Sequence, residues 1–201
     1  MLLTCDSYLI DEGALALKPF FIGKNKSEII RVEGTYYSEE SPISLLEKVC
    51  LRHGSTEKGR IDAVKEKMNY MHRTPLMIIP YTVGAFPTVS SENLLCVWIF
   101  NHPFKIEELE KGKSAVTLLN GEIIIVSVSK HSLSNQKNKL YSALHMFEKF
   151  QRTQQSRISN EFTRENHRQS VEKKEITTDY EWPNQVAETY MDYESKKKRD
   201  E

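Results

Sequence analysis

The feature that most limits the fold of this 201-residue chain is a change of composition near residue 150. From residue 151 onward, ten cations and eleven acids crowd into 51 residues, aliphatic side chains are sparse, and no helical or strand periodicity survives. Such a segment cannot bury enough apolar surface to offset the entropy of ordering it. A core must therefore close upstream, and the expected division is one domain over 1–155 followed by a charged, largely disordered tail over 156–201. Within that tail, DYEWPNQVAETYMDY gathers aromatic residues and reads either as a docking peptide or as a strap onto the domain.

Inside the domain the signals are mixed. SYLI and ALALKPFFI, separated by the turn residues Asp11-Glu12-Gly13, read as an N-terminal hairpin, and Ile29 to Tyr37 as a third strand. Ser41 can cap a helix with Pro42 at its first position, and Ile43, Leu45, Leu46, Val49 and Cys50 form an apolar stripe that stops at Gly54. Ser55 can cap a second helix running to about Asn69, with Ile61, Val64 and Met68 inward. Leu76–Ile79, Ala85–Val89 and Leu94–Phe100 are candidate strands, which Pro75, Pro80 and Pro87 confine to edges, ends or turns. SAVTLL and EIIIVSVS flank Asn120-Gly121, a dipeptide suited to a type I′ turn, so a tight hairpin is expected from Ser114 to Ser129. A last helix should run from about Ser134 beyond Phe150 and bury Leu140, Leu144 and Phe147. The expected fold class is α+β: a mostly antiparallel sheet with an N-terminal hairpin, a central helix pair, a C-terminal β-hairpin and helix, and a flexible charged tail.

Several function classes find no support. The longest apolar run, Leu94 to Phe100, is far short of the roughly 20 residues that span a bilayer, and Met1 to Ile10 lacks the cationic start of a signal peptide. A cytoplasmic protein without a membrane partner is expected. Cys5, Cys50 and Cys96 cannot all pair and have no C-x-x-C spacing, which argues against a disulfide framework and a zinc site. No G-x-S-x-G, H-E-x-x-H or paired-carboxylate signature is present, so no catalysis, cofactor or metal is expected. Cys50 and His53 lie one helical turn apart, a spacing that suits a metal or a thiolate, but Cys50 falls on the buried stripe and reads as structural. HGSTEKGRID nearly spells a nucleotide-binding loop, yet Arg60 stands where the lysine belongs and Ile61 where the magnesium-binding hydroxyl belongs.

The formal net charge is zero, but the charges are unevenly spread. Between Lys48 and Arg73 seven cations face three acids, and Lys130 to Lys139 holds three lysines and no acid. Solvated basic faces are the bland reading of such runs. At about 100° per residue, Arg60 and Lys67 share one flank of the second helix, and Lys58 and Lys65 the other. Open amides at the helix start, Gly54-Ser55-Thr56, would suit a phosphate, with Gly59 allowing close approach and Arg60 supplying a forked donor. That phosphate can belong to DNA.

The run VCLRHGSTEKGR followed by HRTPLMIIP, then AFPTVSS, LCVWIFNH and a hairpin ending in VSVSKHSLSNQ, resembles the competence transcription factors of Gram-positive bacteria, the ComK family. The resemblance covers most of residues 7–150, with Gly54, Gly59, Arg60, Pro75, Phe86, Pro87, Thr88 and Trp98 on recurrent positions. It implies a transcriptional activator of DNA-uptake genes that binds paired A/T-rich boxes of double-stranded DNA through the minor groove, as a homo-oligomer (dimer or dimer of dimers). It also implies an adaptor and a Clp protease as partners through the C-terminal region. Groups able to enter a narrow, electronegative A/T groove or to meet its phosphates are Lys58, Arg60, Lys65, Lys67, Arg73, Asn101, His102, Lys130, Asn135, Gln136 and Lys137. A protein-interaction or regulatory module of the same fold without direct DNA binding is the alternative.

Overall fold

The structure, a computed structural model, describes residues 6–79 and 82–153. The expected tail, its aromatic segment, Cys5 and any adaptor-binding sequence within the tail lie outside those residues. The described elements are a short 3-10 helix (Asp6–Leu9), β1 (Ala14–Ile22), β2 (Asn25–Arg31), β3 (Thr35–Ser38), α1 (Pro42–Arg52), α2 (Glu57–Met68), β4 (Leu76–Ile79), β5 (Val83–Pro87), β6 (Trp98–Phe100), β7 (Lys105–Glu110), β8 (Lys113–Thr117) and β9 (Ile123–Val126). A last helix, α3, runs over 130–153. This is the α+β arrangement expected, with a helix pair between two β-rich parts.

Strands β1 to β6 form one antiparallel sheet in the order β3-β2-β1-β6-β5-β4, and β7-β8-β9 form a second. Alternate residues along the large sheet point to opposite faces, and both faces are buried. On one, Leu17, Ile29, Trp98 and Leu76 pack with Leu45, Leu46, Val49 and Cys50 of α1. On the other, Ala16, Ile30, Phe86 and Ile99 pack with Val116, Ile124 and Val126 of the small sheet and with Leu133, Leu140 and Ala143 of α3. The layers are thus helix, sheet, then sheet plus helix. Helix α2 packs against the edge strand β4, with Ile61 against the first core and Val64 and Met68 in the second, and so shields that edge from further strand pairing.

The approach of α3 to the large sheet is close enough to require glycine at one position. A Cβ on Gly84 would lie 2.7 Å from Leu140 Cδ1 and 3.3 Å from the Leu76 carbonyl. Leu140 is fully buried, so it has no room to move aside. Gly84→Ala is expected to cost about 1–3 kcal/mol through overpacking, measurable as a lower denaturant midpoint at unchanged slope.

Some elements differ from expectation for identifiable reasons. SYLI is a 3-10 turn, and the N-terminal hairpin is instead β1–β2, closed by Gly23-Lys24 with Gly23 at φ +64°. The expected third strand is two, because the chain reverses at Val32–Gly34 to pair Ser27 with Ser38 and Ile30 with Thr35. Of Leu94–Phe100 only Trp98–Phe100 is strand. Strand β7 was not foreseen, since KIEELE has no period-2 alternation and is almost wholly exposed. In the β8–β9 turn only Gly121 has positive φ, and Leu118 and Glu122 close a three-residue loop. That is a type I turn with a left-handed glycine, not type I′. Helix α3 begins four residues early because Ser129 caps it, its hydroxyl accepting from the Ser132 amide at 3.3 Å.

Antiparallel pairing also decides which loops meet. Leu17 pairs with Trp98, Trp98 with Pro87, and Ala85 with Leu76. The β1–β2 turn, the loop 88–97 and the loop 69–75 therefore all project from one end of the large sheet.

Candidate nucleic-acid interface

At that end the end of α2, the loop 69–75, the segment after β5 and the start of α3 enclose an open cleft of about 820 Å³. Its walls include Lys65, Arg73, Glu92, Ser127, Ser129 and Ser132. The loop is forced by local chemistry. Helix α2 ends at Met68 with Asn69 in the left-handed conformation, φ 54°, which asparagine tolerates. Pro75 then disfavours helical geometry at the residue before it. Lys139 of α3 holds the loop by donating to the His72 carbonyl at 3.0 Å and lying 5.1 Å from the centre of the Tyr70 ring. Arg73 is exposed and has φ 47°, a conformation that costs a non-glycine residue about 1 kcal/mol or more.

The electrostatics of the cleft mouth are additive. Lys130 occupies the first turn of α3, where the dipole already presents partial positive charge. A cation there is mildly unfavourable for the helix and strengthens the positive field outside it. The Lys65–Asp62 pair, 3.4 Å apart with both side chains about half exposed, is worth little and can be exchanged for a phosphate. Glu92 is the carboxylate in the cleft wall.

The sequence-derived candidates separate in space. Lys65 and Arg73 come together in the cleft, and Lys130 adjoins it through Ser129. Lys58 and Lys67 are exposed on α2 outside the cleft wall. Asn135 is exposed and bonds His131 at 3.0 Å. Lys137 lies 4.5 Å from the Phe104 ring centre, a cation–π contact that leaves it half-buried.

Four candidates are turned to other work. The Arg60 guanidinium points inward and donates to the carbonyls of His53 at 2.7 Å and Met77 at 3.0 Å, with Cys50 at 3.5 Å. Asn101 bridges β5 and its preceding turn, accepting from Gly84 N at 3.0 Å and donating to Thr82 O at 2.9 Å. His102 bonds the Glu12 carbonyl at 2.7 Å. Gln136 is buried in the second core layer. Arg60, Asn101 and His102 satisfy backbone groups and Gln136 is buried, so these side chains are poor reporters of DNA.

The expected phosphate site at the start of α2 is also corrected. Its amides are already engaged: Thr56 Oγ1 accepts from Gly59 N at 3.0 Å, and the Glu47 carboxylate accepts from Glu57 N at 2.6 Å. A carboxylate sits where the anion would have to bind. Cys50 and His53 form no reactive pair either, because burial pushes the Cys50 thiol up to about 12, and burial together with Arg52 and Arg60 lowers the His53 imidazole. Sequence reasoning missed the cleft's serine hydroxyls, Ser90 and Ser91 after β5 and Ser127, Ser129 and Ser132, although VSVSKHSLS spaces the last three as a strand end and a helix cap would require.

Comparison with known proteins identifies the family of this mixed α+β domain. Residues 5–156 match the family described as ComK protein, and the chain belongs to that family. It is similar to the competence transcription factor of Bacillus subtilis (strain 168), with 30% identity over 149 residues, covering 73% of this chain and 76% of that protein. No solved structure matches it significantly.

Proposed function

We propose that this protein is a competence transcription factor: a sequence-specific, DNA-binding activator of DNA-uptake genes that works in the cytoplasm without a cofactor or catalysis. The observation that carries this reading is the convergence of Lys65 and Arg73 with five serine hydroxyls in an open cleft, in a chain of the ComK family. Exposed Arg and Lys suit the narrow, electronegative minor groove of A/T tracts, and hydroxyl donors suit the A N3 and T O2 acceptors displayed there. The resulting partner is double-stranded DNA carrying A/T-rich boxes. Local charge is sufficient, because binding depends on cations that meet phosphates and not on the net charge of zero.

The protein acts as a homo-oligomer in this reading. Strand β9 is an edge of the small sheet and leaves Ile123 61% and Ile125 68% exposed, an apolar strip suited to a second copy. The adaptor and Clp protease belong to the same reading through the C-terminal region.

Fluorescence anisotropy with A/T-box duplexes, and with scrambled G/C-rich controls, across a range of salt concentrations tests the activator reading. The expected result is preference for A/T boxes and a linear fall of log affinity with log salt. Absent binding at low salt, or equal affinity for the G/C control, would instead favour an interaction module that keeps the fold without DNA.

A further inference from the structure

The β1–β2 hairpin carries an unexplained apolar tip. Past Leu17, β1 has no β6 partner, and past Pro19 it pairs only with β2, so Phe20 to Lys26 form a two-stranded arm. Phe21 and Ile22 at its end are 65% and 67% exposed. The arm's base is stiffened on both sides: Phe20 packs on Tyr37 with ring centres 4.6 Å apart, and Lys18 pairs with Glu28 at 2.9 Å across the strands. An irregularity between Pro19 and Ile22 adds local twist. The two apolar side chains are therefore held outward on a braced support, and folding alone does not require them there.

The charge around this tip chooses its partner. KPFFIGKNKS, residues 18–27, contains three lysines and no acid. Among the described residues neither Lys24 nor Lys26 forms an ion pair, and the carboxylate beside the tip is Glu39, in a shallow depression it shares with Phe21 and the two lysines. An apolar wedge flanked by unpaired cations matches a polyanion whose interior is an apolar stack, which is the chemistry of a base step between phosphates. Position agrees with composition. The arm leaves the same end of the sheet as the cleft, and three strand spacings from β1 to β4 amount to about 14 Å. That is well under one duplex turn of about 34 Å, so arm and cleft can meet one site.

We infer that Phe21 and Ile22 form a wedge that enters a base step of the bound duplex, with Lys24 and Lys26 on the adjoining phosphates. The inference rests on the DNA-binding reading above and adds to it a second, stacking contact. Such a contact favours easily unstacked steps, such as TA, and would supply sequence preference beyond groove width.

The test uses the full chain and A/T-box duplexes with 2-aminopurine placed at successive positions. Wild type should raise the fluorescence at one step, reporting unstacking there. Phe21→Ala/Ile22→Ala should return that signal to the free-duplex level and weaken binding about tenfold or more, as loss of a base–aromatic stack does. Lys24→Ala/Lys26→Ala should keep the signal at saturation but reduce the salt slope by about two. Binding by wild type without a fluorescence change at any position would overturn the wedge and leave the DNA-binding reading intact. Absence of wild-type binding would overturn both. Loss of the signal together with a smaller assembly in sedimentation would overturn the wedge by making the tip a protein contact.

Discussion

Arg60→Ala is expected to lower stability by about 2–4 kcal/mol, with no effect on DNA affinity that its loss of fold does not explain. The guanidinium reaches the His53 and Met77 carbonyls, with Cys50 O at 3.5 Å, and thereby ties the end of α1 to strand β4 through α2. Carbonyls in the last turn of a helix lack intrahelical donors, and a hydrogen bond from a charged group contributes about 1.5–3 kcal/mol. Removing the arginine takes this donor from the His53 and Met77 carbonyls, whereas the Cys50 carbonyl keeps the His53 and Ser55 amides. Arg60→Lys should recover only part of the loss, because an ammonium cannot span acceptors from two elements. Denaturant unfolding checks this, with duplex binding measured under conditions where each variant remains folded. Unchanged stability with weakened binding would return Arg60 to the interface.

Arg60 also marks the boundary of what the sequence makes legible. The helix pair was readable because capping and periodicity are local: Ser41 and Pro42 start α1 as expected, and Val49 and Cys50 lie inward. The direction of a long side chain on the flank of a helix is not local. Helical spacing places Arg60 beside Lys67, but β4, sixteen residues further on at its start, supplies the carbonyl that draws the guanidinium inward. Gln136 fails in the same way, as a polar residue in a serine- and lysine-rich stretch that α3 nonetheless turns into the core. The phosphate site expected at the start of α2 fails because the carboxylate of Glu47, in another helix, accepts from the Glu57 amide. Exposed strand β7 and the β1–β2 arm were obscure for the opposite reason. Neither alternates cleanly, since neither has one buried face along its length.

Lys65 in the last turn of α2 and Arg73 in the loop after it come together in the cleft, so Lys65→Ala/Arg73→Ala should weaken A/T-box binding about 10- to 100-fold without loss of stability. Both side chains are exposed, and the pair lost with Lys65 is an exposed one of small value. If each cation meets a phosphate, the slope of log affinity against log salt should fall by roughly 0.9 per residue removed. If Arg73 enters the groove, the preference for A/T over G/C should fall with it. Arg73→Gly separates function from fold more sharply. At φ 47° the arginine is held in a conformation that glycine adopts freely, so this change relieves strain of about 1 kcal/mol while adding a similar entropic cost to the unfolded chain. Stability should stay level or rise slightly as affinity drops. An Arg73→Gly variant that binds A/T boxes as tightly as wild type would show that the Arg73 charge is not used.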